Sequence, residues 1–266
     1  MILTVIGTGN MGQALIQGFL KNEIIRPDEL NLCDIDAQRV ENIGRELGAG
    51  VYTNAAEAVL EADYVLVAVK PQVFDKVVAS FSANLKKDAV LISIAAAVSL
   101  KRIRSLVSAK QSIVRVMPNT PALVGAGVSA VCFDKVTAEA EEFVTQLLSS
   151  CGLVVKGSED QLDAIGCVSG TGPAYLMLFL EAMADAAVKL GIPRKTAIEI
   201  AAATLYGSGK LAMETGQLPA VLKDQVCSPG GTTIEGIIAL EKAGFRAAVI
   251  SAVEASAEKS RKMAGT

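Results

Sequence analysis

The chain has 266 residues, of which 51% are apolar, 20% charged and 4% aromatic, and it contains no histidine and no tryptophan. Histidine is the commonest general base and the commonest metal ligand, so we expect no metal site and a chemistry carried by other groups. The net charge of −3 provides no basic surface for a phosphate backbone or an anionic membrane, so neither is expected as a partner.

The five cysteines are irregularly spaced, odd in number and without a C-x-x-C pair, so neither a disulfide framework nor a zinc site is predicted. The chain enters an apolar strand at its start, with no basic leader before it. Both observations favour a reducing, cytoplasmic location.

Over residues 1–157, short β-branched runs alternate with helical patterns, which predicts right-handed βαβ units on a parallel sheet and so a Rossmann-like dinucleotide-binding domain. A helix is also predicted over Ala138–Ser150. The predicted strands are Leu3–Ile6, Leu30–Cys33, Tyr64–Val69, Val90–Ile94, Ser112–Val116, Val128–Phe133 and Leu153–Val155.

Residues 158–266 contain no further strand-like run, and their apolar residues recur at helical spacing, which predicts an all-α C-terminal domain. The glycines at 170 and 172 and Pro173 kink or divide the first helix. The predicted helices are Gln161–Leu190, Arg194–Thr215, Pro219–Val226, Thr233–Ala243 and Phe245–Lys262. The fold class is therefore α/β with a second, all-helical domain.

A glycine-rich loop, Gly7-Thr8-Gly9-Asn10-Met11-Gly12, follows the first strand and precedes a helical pattern. It matches G-x-G-x-x-G, in which Gly7 makes the tight turn, Gly9 lets a pyrophosphate approach, and Gly12 allows close packing of helix on strand. We assign all six residues to cofactor binding, although an ordinary glycine-rich turn would share the pattern.

Asp34 ends the second strand, where an acid can accept hydrogen bonds from the adenosine ribose; a loop-capping aspartate is an equal alternative. An acid at this position repels a 2′-phosphate, which favours NADH over NADPH. Arg39, a helical turn further on, could bind that phosphate, but we expect it to face solvent.

Other loops at the carboxyl edge of the sheet complete the predicted cofactor site. Lys70 could carry charge toward phosphate or ribose, with a solvated surface lysine as the alternative. The small side chains after the fourth strand would let a flat ring approach the backbone, although simple packing would explain them equally. The residues assigned to the cofactor from these loops are Ala68, Val69, Lys70, Pro71, Ile94, Ala95, Ala96, Pro118 and Asn119.

The segment Ser228-Pro229-Gly230-Gly231-Thr232-Thr233 leads into a predicted helix. Successive N–H groups of Gly231, Thr232 and Thr233 could form a nest for a carboxylate. An ordinary threonine N-cap is the alternative.

Taken together, these motifs closely resemble those of pyrroline-5-carboxylate reductases, over essentially the whole chain. The resemblance rests on the glycine loop, Ala68-Val69-Lys70-Pro71, Ser93-Ile94-Ala95-Ala96, Arg115–Pro121, Ser169–Tyr175 and Ser228–Thr233.

The resemblance implies NAD(P)H-dependent reduction of the C=N bond of L-1-pyrroline-5-carboxylate to L-proline, the last step of proline biosynthesis. It assigns Thr233 to the ring nitrogen, Asn54 to the cofactor, and Ser228, Gly230, Gly231 and Thr232 to the substrate. It also implies a homodimer with interlocked helical domains and active sites completed between subunits, which some members assemble into decamers. Because many members have a neutral or basic residue where Asp34 stands, we predict that NADH is used at least as well as NADPH.

Two other readings are weighed against this one. A β-hydroxyacid dehydrogenase needs a lysine near the middle of the chain, and the relevant helix offers only Lys189, near its far end. A nucleotide-binding sensor without turnover would have no use for a carboxylate nest.

Overall fold

The computed structural model describes residues 1–264 and divides into two compact units. The first comprises Met1–Gly170 and the residues from Ala257 onward, and the second comprises Thr171–Ser256. The boundary drawn from the sequence, after residue 157, falls earlier and stays a prediction. Helix α7 (Glu159–Ser169) belongs to the first unit because its Leu162 is buried against the sheet residues Ala130 and Cys132.

Across the described residues, the first unit contains a sheet of eight strands in the order β3-β2-β1-β4-β5-β6-β7-β8. From β1 the chain first adds β2 and β3 on one side and then crosses over to add β4 on the other side of β1. The strand order therefore reverses between β1 and β4. The strands are β1 Leu3–Ile6, β2 Leu30–Cys33, β3 Gly50–Tyr52, β4 Tyr64–Val67, β5 Val90–Ser93, β6 Ser112–Met117, β7 Gly127–Asp134 and β8 Gly152–Lys156.

The predicted α/β class is confirmed, and each strand foreseen from the sequence is present within a few residues. The strand β3 was missed because it has only three residues and lies at an exposed edge. The direction of β7 was also missed, since β7 runs antiparallel to β6. Residues 118–126 between them hold only the short 3-10 helix Thr120–Val124, whereas a parallel return needs a crossover of about a dozen residues or more.

The helices of the first unit cover both faces of this sheet. Successive strand residues point to opposite sides, so Leu66 joins one buried cluster while Val65 and Val67 join the other. The other helices of this unit are α1 Asn10–Lys21, α2 Ala37–Leu47, α3 Ala55–Ala58, α4 Phe74–Phe81, α5 Leu100–Leu106 and α6 Ala138–Ser149.

A buried ion-pair cluster fastens α7 to the sheet. Arg115, on β6, is 5% exposed and donates to Glu159 Oε1 at 2.9 Å and to Asp163 Oδ1 at 2.6 Å. The same Glu159 oxygen accepts from the backbone N–H of Leu100, at the start of α5. This arginine, which opens a motif noted in the sequence, therefore joins three elements of the first unit.

We expect Arg115→Met to destabilise the first unit by about 2 kcal/mol, because it removes the charge-assisted hydrogen bonds of a buried guanidinium to two carboxylates that are 30% and 49% exposed. The control is Arg102→Met, since Arg102 forms a comparable 2.8 Å pair with Asp75 but is 44% exposed. The control should cost less than about 1 kcal/mol. Urea unfolding at one fixed protein concentration measures both, and equal midpoints would contradict the prediction.

The second unit buries very little of itself. Its fully buried residues, among those described, are Ala184, Ala197 and Ala201, whereas large apolar side chains such as Leu178 and Met213 are 68% and 74% exposed. Its helices are α8 Gly172–Lys189, α9 Arg194–Thr215, α10 Pro219–Val226, α11 Thr232–Lys242 and α12 Phe245–Ala264, whose last residues belong to the first unit. A unit with so much exposed apolar surface requires a covering partner.

The predicted long helix Gln161–Leu190 is divided, with α7 ending at Ser169 and α8 beginning at Gly172. Within the described part of the chain, the stretch Glu159–Lys189 is long and apolar enough to cross a membrane by length and composition alone. One such stretch is weak evidence of a membrane span. The expectation of no membrane partner stays a prediction.

Candidate active site

The glycine-rich loop after β1 is built around glycines at close approaches. Gly7 has a φ of +99°, and a Cβ there would lie 2.8 Å from the carbonyl oxygen of Ala68. A Cβ on Gly12 would lie 2.5 Å from the carbonyl oxygen of Gly7. A Cβ on Gly9, by contrast, would meet no atom within 4 Å. Gly7 and Gly12 therefore satisfy internal packing, while Gly9 leaves space for a ligand.

The N-terminus of α1 opens onto this space. The N-cap residue is Gly9, and no side chain caps the helix. Uncapped N–H groups and the positive end of the helix dipole favour an anionic group such as a pyrophosphate.

A cavity of about 500 Å³ lies beside this helix end, at the carboxyl ends of β1, β4, β5 and β6. This is the point where the strand order reverses, at which open α/β sheets bind their ligands. The cavity is lined by Gly9, Asn10, Met11, Ala68, Val69, Lys70, Pro71, Ile94, Ala95, Ala96, Met117 and Pro118. The residues present thus fit a dinucleotide, with a glycine cradle for phosphate and a small-residue wall for a flat ring.

Met117 is the lining residue that the sequence analysis did not assign. It ends β6 immediately before Pro118, so its place beside a predicted residue was the available signal. Its side chain also packs on α7, where a Cβ on Gly166 would lie 3.0 Å from Met117 Cγ. Met117 therefore connects the cavity wall to the helix behind it.

Six residues assigned to the cofactor do not line the cavity: Gly7, Thr8, Gly12, Asp34, Asn54 and Asn119. Asn119 is 6% exposed, donates to the carbonyl of Ser169 at 2.8 Å and accepts from the N–H of Val128 at 2.8 Å. Asn54 caps α3 by accepting from the N–H of Ala56 at 3.0 Å, at the carboxyl end of β3. Their assignment to cofactor binding stays a prediction.

Asp34 is turned back onto the glycine-rich loop. Its Oδ2 accepts from the N–H of Thr8 at 2.7 Å and from the Thr8 hydroxyl at 2.9 Å, and its Oδ1 accepts from the N–H of Asp36 at 3.0 Å. Burial by itself raises the pKa of Asp34, but these hydrogen bonds and the nearby Arg39 outweigh it and hold the pKa below its ordinary value. Asp34 therefore stabilises the loop at Thr8 through a charged carboxylate, and its assignment to cofactor binding stays a prediction.

The predicted substrate loop lies in the second unit. Gly230 has a φ of +66°, and the N–H of Gly231 donates to the carbonyl of Ser228 at 3.0 Å. Helix α11 starts at Thr232 with Gly231 as its N-cap, and no side chain caps it. A threonine N-cap, the alternative reading, is thus not what the structure contains. Thr233 stands in the first helical turn and is half-buried.

A doubly wound sheet with a ligand cavity at its switch point, followed by a helical unit with exposed apolar faces, defines an NAD(P)-dependent oxidoreductase with an oligomerising C-terminal domain. Comparisons with known proteins identify the family within this class. The family described as "Pyrroline-5-carboxylate reductase dimerisation" matches residues 159–263, and the one described as "NADP oxidoreductase coenzyme F420-dependent" matches residues 2–97.

Relatives that match over nearly the whole chain point to the same family. The chain is 40% identical to the pyrroline-5-carboxylate reductase of Escherichia coli (strain K12) over 97% of this chain and 96% of the relative. It is 37% identical to the Arabidopsis thaliana reductase, over 97% and 94%. The crystal structure of Plasmodium falciparum pyrroline carboxylate reductase with NADP bound superposes with a TM-score of 0.88 at 32% identity, over 99% and 98% of the two chains. The chain belongs to the pyrroline-5-carboxylate reductase family.

This membership confirms the resemblance drawn from the motifs, the enzyme class and the use of a nicotinamide cofactor. It also shows a small-molecule substrate and an oligomer, through the matched dimerisation region. The β-hydroxyacid dehydrogenase reading is set aside, and Lys189 is an exposed residue at the end of α8.

Proposed function

We propose that this chain reduces the C=N bond of L-1-pyrroline-5-carboxylate to give L-proline, with NADPH or NADH as the reductant. The observation that carries this proposal is the pairing, on one chain of this family, of a glycine-cradled cavity with a second uncapped helix at Gly231. The first fits a dinucleotide and the second fits the carboxylate of a small imino acid.

The nicotinamide supplies the hydride, so the protein has to position the imine rather than activate a strong acid. Ser228, Gly230, Gly231 and Thr232 hold the substrate carboxylate at the N-terminus of α11, through hydroxyls and through backbone N–H groups other than that of Gly231, which donates to the carbonyl of Ser228. The small side chains of Ala95 and Ala96 let a flat ring lie against the backbone of the cavity wall. Ala97, next in the chain, has a φ of +58°, a strained conformation that bends this wall.

The chain contains no histidine, and this chemistry does not need one. A protonated imine is already electrophilic, and the product amine keeps its proton at neutral pH. The hydroxyl of Thr233 orients the ring nitrogen by a hydrogen bond and relays a proton from water. Thr233 is in this proposal the catalytic residue.

We expect Thr233→Ala to lower kcat by about 100-fold, the lower end of what a positioned proton donor contributes, while the Kd for NAD(P)H stays unchanged. Thr233→Ser keeps a hydroxyl and should retain most of the turnover. Steady-state rates at saturating imine, with a separate cofactor titration, measure both parameters. A Thr233→Ala enzyme with the parent kcat would remove Thr233 from this role.

The activity itself is tested by adding the imine to enzyme and NAD(P)H and following cofactor oxidation together with proline formation. Stoichiometric proline supports the proposal. Cofactor binding without turnover would favour the sensor reading instead.

We infer that two chains interlock through their helical units into a homodimer and complete each other's active sites. The exposed apolar faces of α8 and α9 support this, and a decamer built from five such dimers is the larger assembly we propose. We also propose a cytoplasmic location, because a chain with an odd number of cysteines suits a reducing compartment.

A further inference from the structure

The segment that runs from the end of β2 into the first turn of α2 carries a charge arrangement that the reaction itself does not use. It begins at Asp34, includes Asp36 and ends at Arg39. The Arg39 Nη2 lies 2.8 Å from Asp36 Oδ2, and its Nη1 lies 3.7 Å from Asp34 Oδ2. Arg39 is 46% exposed, so it could face solvent fully, yet both acids hold it back.

This segment borders the cofactor site. Asp34 contacts Thr8 directly, and Thr8 precedes the Gly9 that opens onto the cavity. A dinucleotide whose pyrophosphate lies on the N-terminus of α1 places its adenosine ribose at the end of β2. Ile35, between the two acids, is 98% exposed, which leaves an apolar side chain free to contact an adenosine.

The charges of this segment determine whether an adenosine with or without a 2′-phosphate is favoured. A 2′-phosphate would carry about −1.5 to −2 charges into a segment that already has two carboxylates and one guanidinium. The hydrogen bonds from Thr8 and Asp36 hold the Asp34 carboxyl in its charged form. Arg39 would have to share its guanidinium between the phosphate and Asp36, to which its Nη2 already donates.

We propose that Asp36 is a specificity-determining residue, which favours NADH by sequestering Arg39 and by adding its own negative charge. The inference rests on the proposed dinucleotide site at the glycine-rich loop, and is independent of which imine is reduced. Asp36 is a positioning residue for Arg39. Asp34 also repels a 2′-phosphate, but its carboxylate is already hydrogen-bonded to the backbone and the hydroxyl of Thr8.

The test is Asp36→Ser, because serine can still cap α2, where Asp36 Oδ1 now accepts from the N–H of Arg39 at 3.1 Å. The Kd values of NADH and NADPH are measured without substrate, by the fluorescence of the bound reduced cofactor. We expect the affinity ratio to move toward NADPH by about tenfold or more. Arg39→Ala in the same chain should reduce that gain, since the released guanidinium is one of its two sources.

A matched control is Glu141→Gln, which removes one acid from the 2.9 Å pair between Glu141 and Lys156, a pair on α6 and β8 with similar exposure. This variant should leave the ratio unchanged. The inference is overturned if Asp36→Ser leaves the ratio at the parent value, if the added Arg39→Ala does not reduce the gain, or if the parent strongly prefers NADPH. Failure of the parent to bind either dinucleotide would overturn the dinucleotide site as well.

Discussion

Leu178→Glu is expected to leave the chain monomeric and to lower its activity by more than about 100-fold. Leu178 lies on α8 and lines an apolar groove with Met177 and Ile198, and it is 68% exposed in the single chain. A substitution at a truly exposed position changes stability by about 0.5 kcal/mol or less, whereas a charge buried in an interface without a partner costs several kcal/mol. The loss of assembly and of activity therefore measures how completely a second chain covers this face of α8.

The control for this prediction is Leu60→Glu, at an exposed leucine of the first unit that is 49% accessible. It should retain the parent assembly and the parent activity. Light scattering and sedimentation give the assembly state, and circular dichroism of Leu178→Glu distinguishes a folded monomer from an unfolded one. A Leu178→Glu variant that stays dimeric and active would contradict an interface on α8.

Gly9→Ala is expected to weaken NAD(P)H binding by about 100-fold, because a methyl group at the cradle displaces the pyrophosphate by about 1 Å. Gly9 has a φ of −72° and a Cβ there meets no protein atom within 4 Å, so alanine fits the fold itself. The loss of Gly at an N-cap should cost at most about 1 kcal/mol. The affinity for the cofactor should therefore fall strongly, while the stability of the fold changes little.

Gly12→Ala provides the contrast. Its Cβ would lie 2.5 Å from the Gly7 carbonyl oxygen, so the loop must shift and both the unfolding midpoint and cofactor affinity should fall. Fluorescence titration and thermal unfolding of the two variants, at one protein concentration, compare the effects. Parent affinity in Gly9→Ala would show that the cofactor phosphates do not approach this loop.

Strand positions were predictable where apolar, β-branched runs are buried throughout, as in Leu3–Ile6 and Val90–Ser93, because burial on both faces leaves a continuous signal. The edge strand Gly50–Tyr52 has no such signal. The direction of β7 depends on the length of one connection, which composition does not express. Motif residues such as Gly9, Lys70 and Ala95 were found because each follows a strand at the same edge of the sheet.

Side-chain partners were harder to predict than positions. Asp34 could be placed at the end of β2 from the sequence, but its bonds to Thr8 depend on the approach of two loops separated along the chain. Asn119 followed the expected turn, yet its amide joins Ser169 and Val128. Such contacts arise from folding distant segments together, so no local pattern encodes them.

The sequence by itself determined the α/β architecture, the helical second part, the glycine-rich loop and the family, because periodicity, turn residues and motif spacing are local properties of the chain. The tertiary structure decided which of these residues share a cavity, that Met117 joins them, and that Asp34 and Asp36 restrain Arg39. It also showed that the second unit buries only three alanines and exposes its large apolar side chains. Burial and contact are properties of the packed chain, and they appear only when the elements are assembled.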